Sequence, residues 1–217
     1  MSDSKRGLIC GRGRSLTRFA NLFDQEYDFV CLINEFNQFI REDKLLLNFL
    51  REKSEKSFLT QQVNIEFGGV DSFLLESLDV KEITMARLAY NGSDSKWRPL
   101  INTGVFDHFG MTLTMQPDSL EPYMHHVKNS LGIAILNMII DKKCTKIDII
   151  GSDFYEADYF LSHRGPDWDA VSQKDVQDRL KKGIDKLVEI FPDVIFNIYT
   201  CSSYENSSDN CYIIKVE

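Results

Sequence analysis

GLICGRGRSL, residues 7–16, decides how the rest of the chain is read. A short apolar run, Leu8-Ile9-Cys10, ends in Gly11-Arg12-Gly13, and Ser15 then opens a helical pattern. A strand, a tight glycine turn and a helix start, in that order, aim backbone N–H groups and the positive end of a helix at one point, which suits a phosphate. Glycine matters here because Gly11 and Gly13 can adopt positive φ and let a ligand approach the backbone closely. The stretch falls short of two stronger patterns. Leu16 stands where a full G-x-G-x-x-G fingerprint needs its last glycine, and no Gly-Lys-Ser/Thr follows as a Walker A loop requires. An ordinary glycine-rich strand-to-helix turn would use the same residues.

The 217 residues suit a single α/β domain spanning 1–217. A hydrophobic content of 43% against 27% charged residues allows a packed core and argues against global disorder. The net charge of −8 argues against non-specific nucleic-acid binding, which needs a basic face, so no nucleic-acid partner is expected. Local basic spots remain at Lys5, Arg6, Arg12, Arg14 and Arg18. Five widely spaced cysteines without a C-x-x-C pattern suggest free thiols in a reducing compartment. The opening MSDSKRG lacks the apolar run of a secretory leader, and no apolar stretch reaches membrane-spanning length. The expectation is a soluble, cytoplasmic protein without a transmembrane segment; monomer and homo-oligomer both stay open.

Along the chain, 7–11 reads as the first strand and 15–23 as a short helix with Leu16, Phe19, Ala20 and Phe23 on one face. YDFVCLI, 27–33, is a nearly continuous apolar run, as a parallel strand buried on both faces should be. It ends at Asn34 and Asn37, where open α/β sheets place ligands. Residues 41–57 suggest a helix with Leu45, Leu46, Phe49 and Leu50 inward, and its charges Arg51, Glu52, Lys53, Glu55 and Lys56 on the surface. Strands are expected at 62–67 and 80–90, with a helix over 71–78 between them. The irregular stretch 91–118 suggests a lid or acceptor-side insertion. SLGIAILNMII, 130–140, is apolar on nearly every face and predicts a buried helix, with Asn129 or Ser130 as its cap. A strand follows at 146–150, closed by GSDFY, 151–155. Residues 156–171 read as a mobile lid loop, and an amphipathic helix begins at Ser172. Strands at 194–200 and 212–216 flank the polar loop CSSYENSSDN. Alternating strands and helices imply a mainly parallel, doubly wound sheet.

Four segments, taken in order, carry a resemblance: GRGRSL (11–16), NQFIREDK (37–44), NSLG (129–132) and GSDFY (151–155). Together they are similar to the bacterial sialyltransferases of glycosyltransferase family 42. Those enzymes carry a Gly-Asn-Gly-Pro-Ser-Leu turn, an Asn-Gln-Phe string, a Thr-Ser-Gly helix start and a strand ending Gly-x-Asp-Phe-Tyr. The resemblance covers the first 45 residues and 128 to about 190. It implies a Rossmann-like fold of the GT-A-variant sialyltransferase type, with a small lid or insertion. It implies an inverting, metal-independent transfer of a sialic-acid-like (nonulosonic) sugar from a CMP-activated donor to a glycan hydroxyl, with no cofactor beyond the donor itself. By that carry-over Gly11, Arg12, Gly13 and Ser15 line the donor phosphate and nucleotide, and Asn34 or Asn37 reaches the ribose or phosphate. Ser130 and Gly132 meet the phosphate at a helix start, and Gly151, Asp153 and Phe154 border the cytosine and ribose. Tyr155 matches the family's first catalytic tyrosine. Tyr159 stands four positions on, where the family's second tyrosine comes after six. His163 is the candidate base, since a neutral imidazole can take the proton of an attacking hydroxyl.

The chain departs from the family at Arg12, where an asparagine is usual, and at Arg14, where a proline is. Arginine suits a phosphate but is bulkier and can obstruct a nucleotide pocket. Two other classes therefore stay in view: a degenerate transferase that binds CMP or another nucleotide without turnover, and a pterin pyrophosphokinase-like enzyme, whose chemistry would want Mg²⁺ on carboxylates. His125 and His126 look like a metal pair, but neighbours on a helix face different ways and no third ligand has suitable spacing, so surface or acceptor-side residues are expected.

Overall fold

Strand β1 (Lys5–Cys10) is buried along its last four residues and lies in the interior of an eight-stranded sheet. A computed structural model describes residues 4–22, 24–33, 43–53, 57–61, 78, 80–85, 112–115, 118–123, 125–127, 129–156 and 170–217. The further strands are β2 (Phe29–Ile33), β3 (Ser57–Gln61), β4 (Val80–Met85), β5 (Thr112–Met115), β6 (Cys144–Ile150), β7 (Ile195–Thr200) and β8 (Cys211–Lys215). Their order across the sheet is β5-β4-β3-β2-β1-β6-β7-β8, and every neighbouring pair is parallel. Helices cover the sheet on both faces, which gives an α/β fold of Rossmann-like build. Among the described residues no helix is long and apolar enough to cross a membrane.

Alternation along the central strands sorts the core into two layers. Ile9, Cys31, Ile33, Ile147, Ile149, Phe196 and Ile198 pack on one side with Ile133, Ala134 and Leu136 of α2 (Ser130–Leu136) and with Ile184, Leu187 and Val188 of α3 (Ala170–Ile190). On the other side Leu8, Cys10, Leu32 and Ile150 are buried, as are Leu46, Phe49 and Leu50 of α1 (Lys44–Lys53) and Leu16, Phe19 and Leu22 of the segment Arg14–Leu22. The Phe19 and Phe49 rings meet there at 5.2 Å. The same side holds a buried charge. Asp148 is fully buried and accepts hydrogen bonds from the Arg6 guanidinium, from Tyr27 Oη at 2.7 Å and from Asn197 Nδ2 at 2.7 Å.

Several expectations are corrected. Arg14–Leu22 is a 3₁₀ segment kinked at Arg18, not an α-helix. Three residues per turn align Leu16, Phe19 and Leu22 and turn Ala20 outward. Phe23 lies outside the described residues. In α1, Asp43 Oδ1 accepts from the N–H groups of Leu45 and Leu46, which sets the helix phase and leaves Leu45 70% exposed. Lys53, expected on the surface, is buried and paired with Glu52 at 3.1 Å. Ser57 belongs to β3 instead of ending that helix. The buried helix at 130–140 is α-helical only to Leu136 and finishes as a π turn, Asn137–Asp141. The irregular region 91–118 contains β5 near its end. Helix α3 starts at Ala170, two residues ahead of Ser172. The strand expected at 62–67, most of the helix over 71–78, and nearly all of the lid loop 156–171 lie outside the described residues.

Candidate functional site

The chain leaves β1 through β2, β3, β4 and β5 on one side and returns to β6 on the other. The strand order therefore reverses between β1 and β6, and a cleft lies there at the carboxyl edge of the sheet. The pairing of these strands continues past their ends. The N–H of Gly11 donates to the carbonyl of Ile150 at 2.7 Å, and the N–H of Gly13 to the carbonyl of Gly151 at 2.7 Å. A Cβ on Gly11 would fall 2.9 Å from the carbonyl carbon of Gly151, inside backbone contact distance. Among the described residues Gly151 is the glycine with positive φ, at 74°. Gly11 and Gly13 do not use the positive φ open to glycine; those positions need glycine for lack of space.

Arg12 stands on the wall of the resulting cleft, between Gly11 and Gly13. Ile33, the last residue of β2, forms another part of the wall, just ahead of Asn34. Asn129, Ser130 and Leu131 bring the start of α2 to it, and Leu180 of α3 closes one flank. Gly151 to Tyr155 complete the lining. So Gly11, Arg12, Gly13, Ser130, Gly151, Asp153, Phe154 and Tyr155 come together in one place.

Two expected contact residues face elsewhere. Ser15 is fully buried; its N–H donates to Asp153 Oδ2 at 2.8 Å and its Oγ accepts from the N–H of Gly151 at 2.9 Å. It ties the glycine turn to the end of β6 and is not part of the cleft wall. Gly132 is buried, and its N–H donates to Oδ1 of the cap residue Asn129 at 2.8 Å. Asp153 reaches the cleft as part of the turn, but its carboxylate is engaged inward. Besides Ser15 it accepts from Thr200 Oγ1 at 2.9 Å and from the N–H of Cys201 at 2.8 Å. Asn34, Asn37, Tyr159 and His163 lie outside the described residues.

Phe154 and Tyr155 both have positive φ, 51° and 58°. Left-handed backbone costs a side-chain-bearing residue roughly 1–2 kcal/mol, so two in succession need support. The N–H of Glu156 donates to the carbonyl of Asp153 at 2.9 Å, and Gln177 Nε2 to the carbonyl of Tyr155 at 3.1 Å. The Phe154 ring packs on Tyr204 at 4.7 Å, with Lys181 Nζ 5.9 Å from its centre. The Glu156 carboxylate accepts from the Ser203 N–H at 2.6 Å, from Ser203 Oγ at 2.9 Å and from the Lys181 ammonium. Burial works against the charge of Glu156, but these hydrogen bonds outweigh it and hold the carboxyl below its ordinary value. Nearby, burial and then Asp153 push the Cys201 thiol up, against Arg14 and Arg18, so it stays protonated near neutral pH.

Glu156, Gln177, Ser203 and Tyr204 had no signature in the sequence, because they act across long separations in loops and on a helix. His125 and His126 sit in a turn with rings 3.6 Å apart, correcting the expectation that they diverge. They are not on the cleft wall. Among the described residues no group of three or more His, Cys, Asp or Glu side chains is gathered as a metal site. No protein-family model matches the chain, and no curated protein matches it.

Proposed function

We propose that this chain is an inverting glycosyltransferase that moves a nonulosonic sugar from a CMP-activated donor to a glycan hydroxyl. One observation carries the reading. Three of the four segments that resemble the family 42 sialyltransferases, the glycine turn, the start of α2 and the turn after β6, wall a single cleft at the point where the strand order reverses. Such clefts bind nucleotides in open parallel sheets.

In this reading Arg12 meets the donor phosphate with charge-assisted hydrogen bonds, and Tyr155 donates to the phosphate oxygen that leaves. An acceptor hydroxyl attacks the anomeric carbon as the bond from that carbon to the phosphate oxygen breaks. CMP departs with the electron pair, and His163 takes the hydroxyl proton. Stabilisation of the leaving phosphate by fixed donors is the main contribution of the protein. The presence of Arg12 on the wall also favours a second reading: a binder of CMP in which that side chain fills space the sugar needs.

The test has two arms. CMP, UMP, GMP and ATP, with and without Mg²⁺, are compared by thermal shift, and CMP-nonulosonates are offered with galactosides while product configuration is followed by NMR. Preferential stabilisation by CMP with transfer and inversion supports the transferase. CMP binding without transfer or donor hydrolysis supports the binder. Equal shifts with all nucleotides would sink both, and a response to ATP only with Mg²⁺ would sink both and favour a pyrophosphokinase-like activity.

A further inference from the structure

The loop between β7 and β8 contributes nothing to the cleft wall, yet it grips the turn that carries Tyr155 at three successive points. The Cys201 N–H holds Asp153, beside the hydroxyl of Thr200 at the end of β7. The Tyr204 ring holds Phe154, and Tyr204 is itself fixed by its Oη donating to Asp185 Oδ1 at 2.8 Å. Ser203 holds Glu156 through both its N–H and its hydroxyl. The loop is anchored in turn by Lys215, whose ammonium donates to the carbonyls of Ser202 and Tyr204 at 2.7 Å each. Between these fixed points Tyr155 keeps a backbone conformation that a tyrosine does not choose unaided.

We infer that the β7–β8 loop positions Tyr155 at the cleft, with Glu156 and Ser203 as positioning residues that act through the backbone of the 153–156 turn. The inference rests on the reading of Tyr155 as the leaving-group donor. Removing the Glu156–Ser203 link frees the turn to relax toward ordinary φ. The Tyr155 hydroxyl then spends less time where it can reach the phosphate, while nucleotide contacts from the glycine turn and α2 stay in place. The effect therefore falls on kcat more than on KM.

The experiment uses the full chain and the variants Glu156→Ala, Glu156→Gln and Ser203→Ala, each also combined with Tyr155→Phe. With a CMP-nonulosonate donor, Glu156→Ala lowers kcat on the order of tenfold or more with a much smaller change in KM, and Glu156→Gln, which keeps an acceptor for Ser203, recovers part of the loss. In the Tyr155→Phe background the same substitutions have little further effect, because the hydroxyl they position is gone. Equal losses in both backgrounds would overturn the inference. A second readout is independent of turnover: amide exchange across 153–156 speeds up in Glu156→Ala and Ser203→Ala while β1 and β6 keep their protection. Unchanged exchange overturns the clamp even if the enzyme is active. If wild type shows no turnover but exchange responds, the transferase reading fails and the clamp stands.

Discussion

Gly11 and Gly151 exclude each other's side chains: a Cβ on Gly11 would lie 2.9 Å from the carbonyl carbon of Gly151, and one on Gly151 would lie 2.6 Å from that of Gly11. The obstacle on both sides is backbone held by the pairing just past the strand ends, which cannot swing aside as a flexible side chain can. Gly151 also holds φ of 74°, so a side chain there is strained in two ways. Gly151→Ala should cost at least about 2 kcal/mol, and Gly11→Ala a similar amount from crowding alone. Urea midpoints measure both, and a loss below half that size would show that the strand ends can part.

The Arg6–Asp148 pair carries a different kind of risk. Asp148 is fully buried and the Arg6 side chain is 18% exposed. Arg6→Met leaves a carboxylate without its cation and should destabilise by about 3–5 kcal/mol. Arg6→Met with Asp148→Leu should lose clearly less than the sum of the singles. Additive losses in denaturant unfolding would mean that the two residues act separately.

Arg12 decides between the two readings of the cleft. As a phosphate ligand, its loss in Arg12→Ala weakens CMP binding by about 1–3 kcal/mol. As an obstruction, Arg12→Asn improves it. Calorimetric titration of CMP into both variants separates the cases, and unchanged affinity in both removes Arg12 from the site.

His163→Ala should leave CMP affinity nearly unchanged and lower transfer by a factor on the order of 10², the share of a general base. Transfer by wild type should also fall in acid as the imidazole becomes charged. Equal transfer rates in wild type and variant would make His163 a bystander.

Glu156 gives the fold an acid-sensitive tie. Its folded pKa lies below the ordinary 4.5, so its contribution is complete above 4.5 and is lost as pH falls through the folded value. Wild type should be more stable than Glu156→Gln near neutrality, with the gap closing in acid below 4.5. A gap that is constant with pH would assign the difference to shape instead of charge.

Two central strands were legible because parallel strands buried on both faces are written as continuous apolar runs, Leu8-Ile9-Cys10 and Phe29–Ile33; Ile147–Ile150 was legible although Asp148 interrupts its apolar run. The cap at Asn129 was legible for a similar reason, since a short polar residue stands just ahead of an all-apolar helix. What escaped depends on tertiary context. A 3₁₀ segment and an α-helix share Leu16 and Phe19, and only Leu22 against Ala20 tells them apart. Ser57–Gln61 is too polar to read as a strand, and it pairs because β2 and β4 flank it. At the site, glycines advertised positive φ and two aromatics adopted it. The partners of Asp153 and Glu156 sit tens of residues away, where no local pattern reports them.

The place of β1 inside the sheet has a consequence for how the chain is made. Arg6 and Asp148 meet across 142 positions, and the whole of β2 to β5 is synthesised between them. A nascent chain shorter than Cys144 holds β1 with one edge satisfied by β2 and the other bare, a template for any stray strand. Pairings this distant form late, after local structure has paid little toward closing so long a loop. The GRG turn leaves the ribosome well before β6, and its partner across the sheet is missing until β6 docks beside it. Ligand binding should therefore report on the docking of β6, and a ligand that fills the cleft would clasp segments made far apart in synthesis.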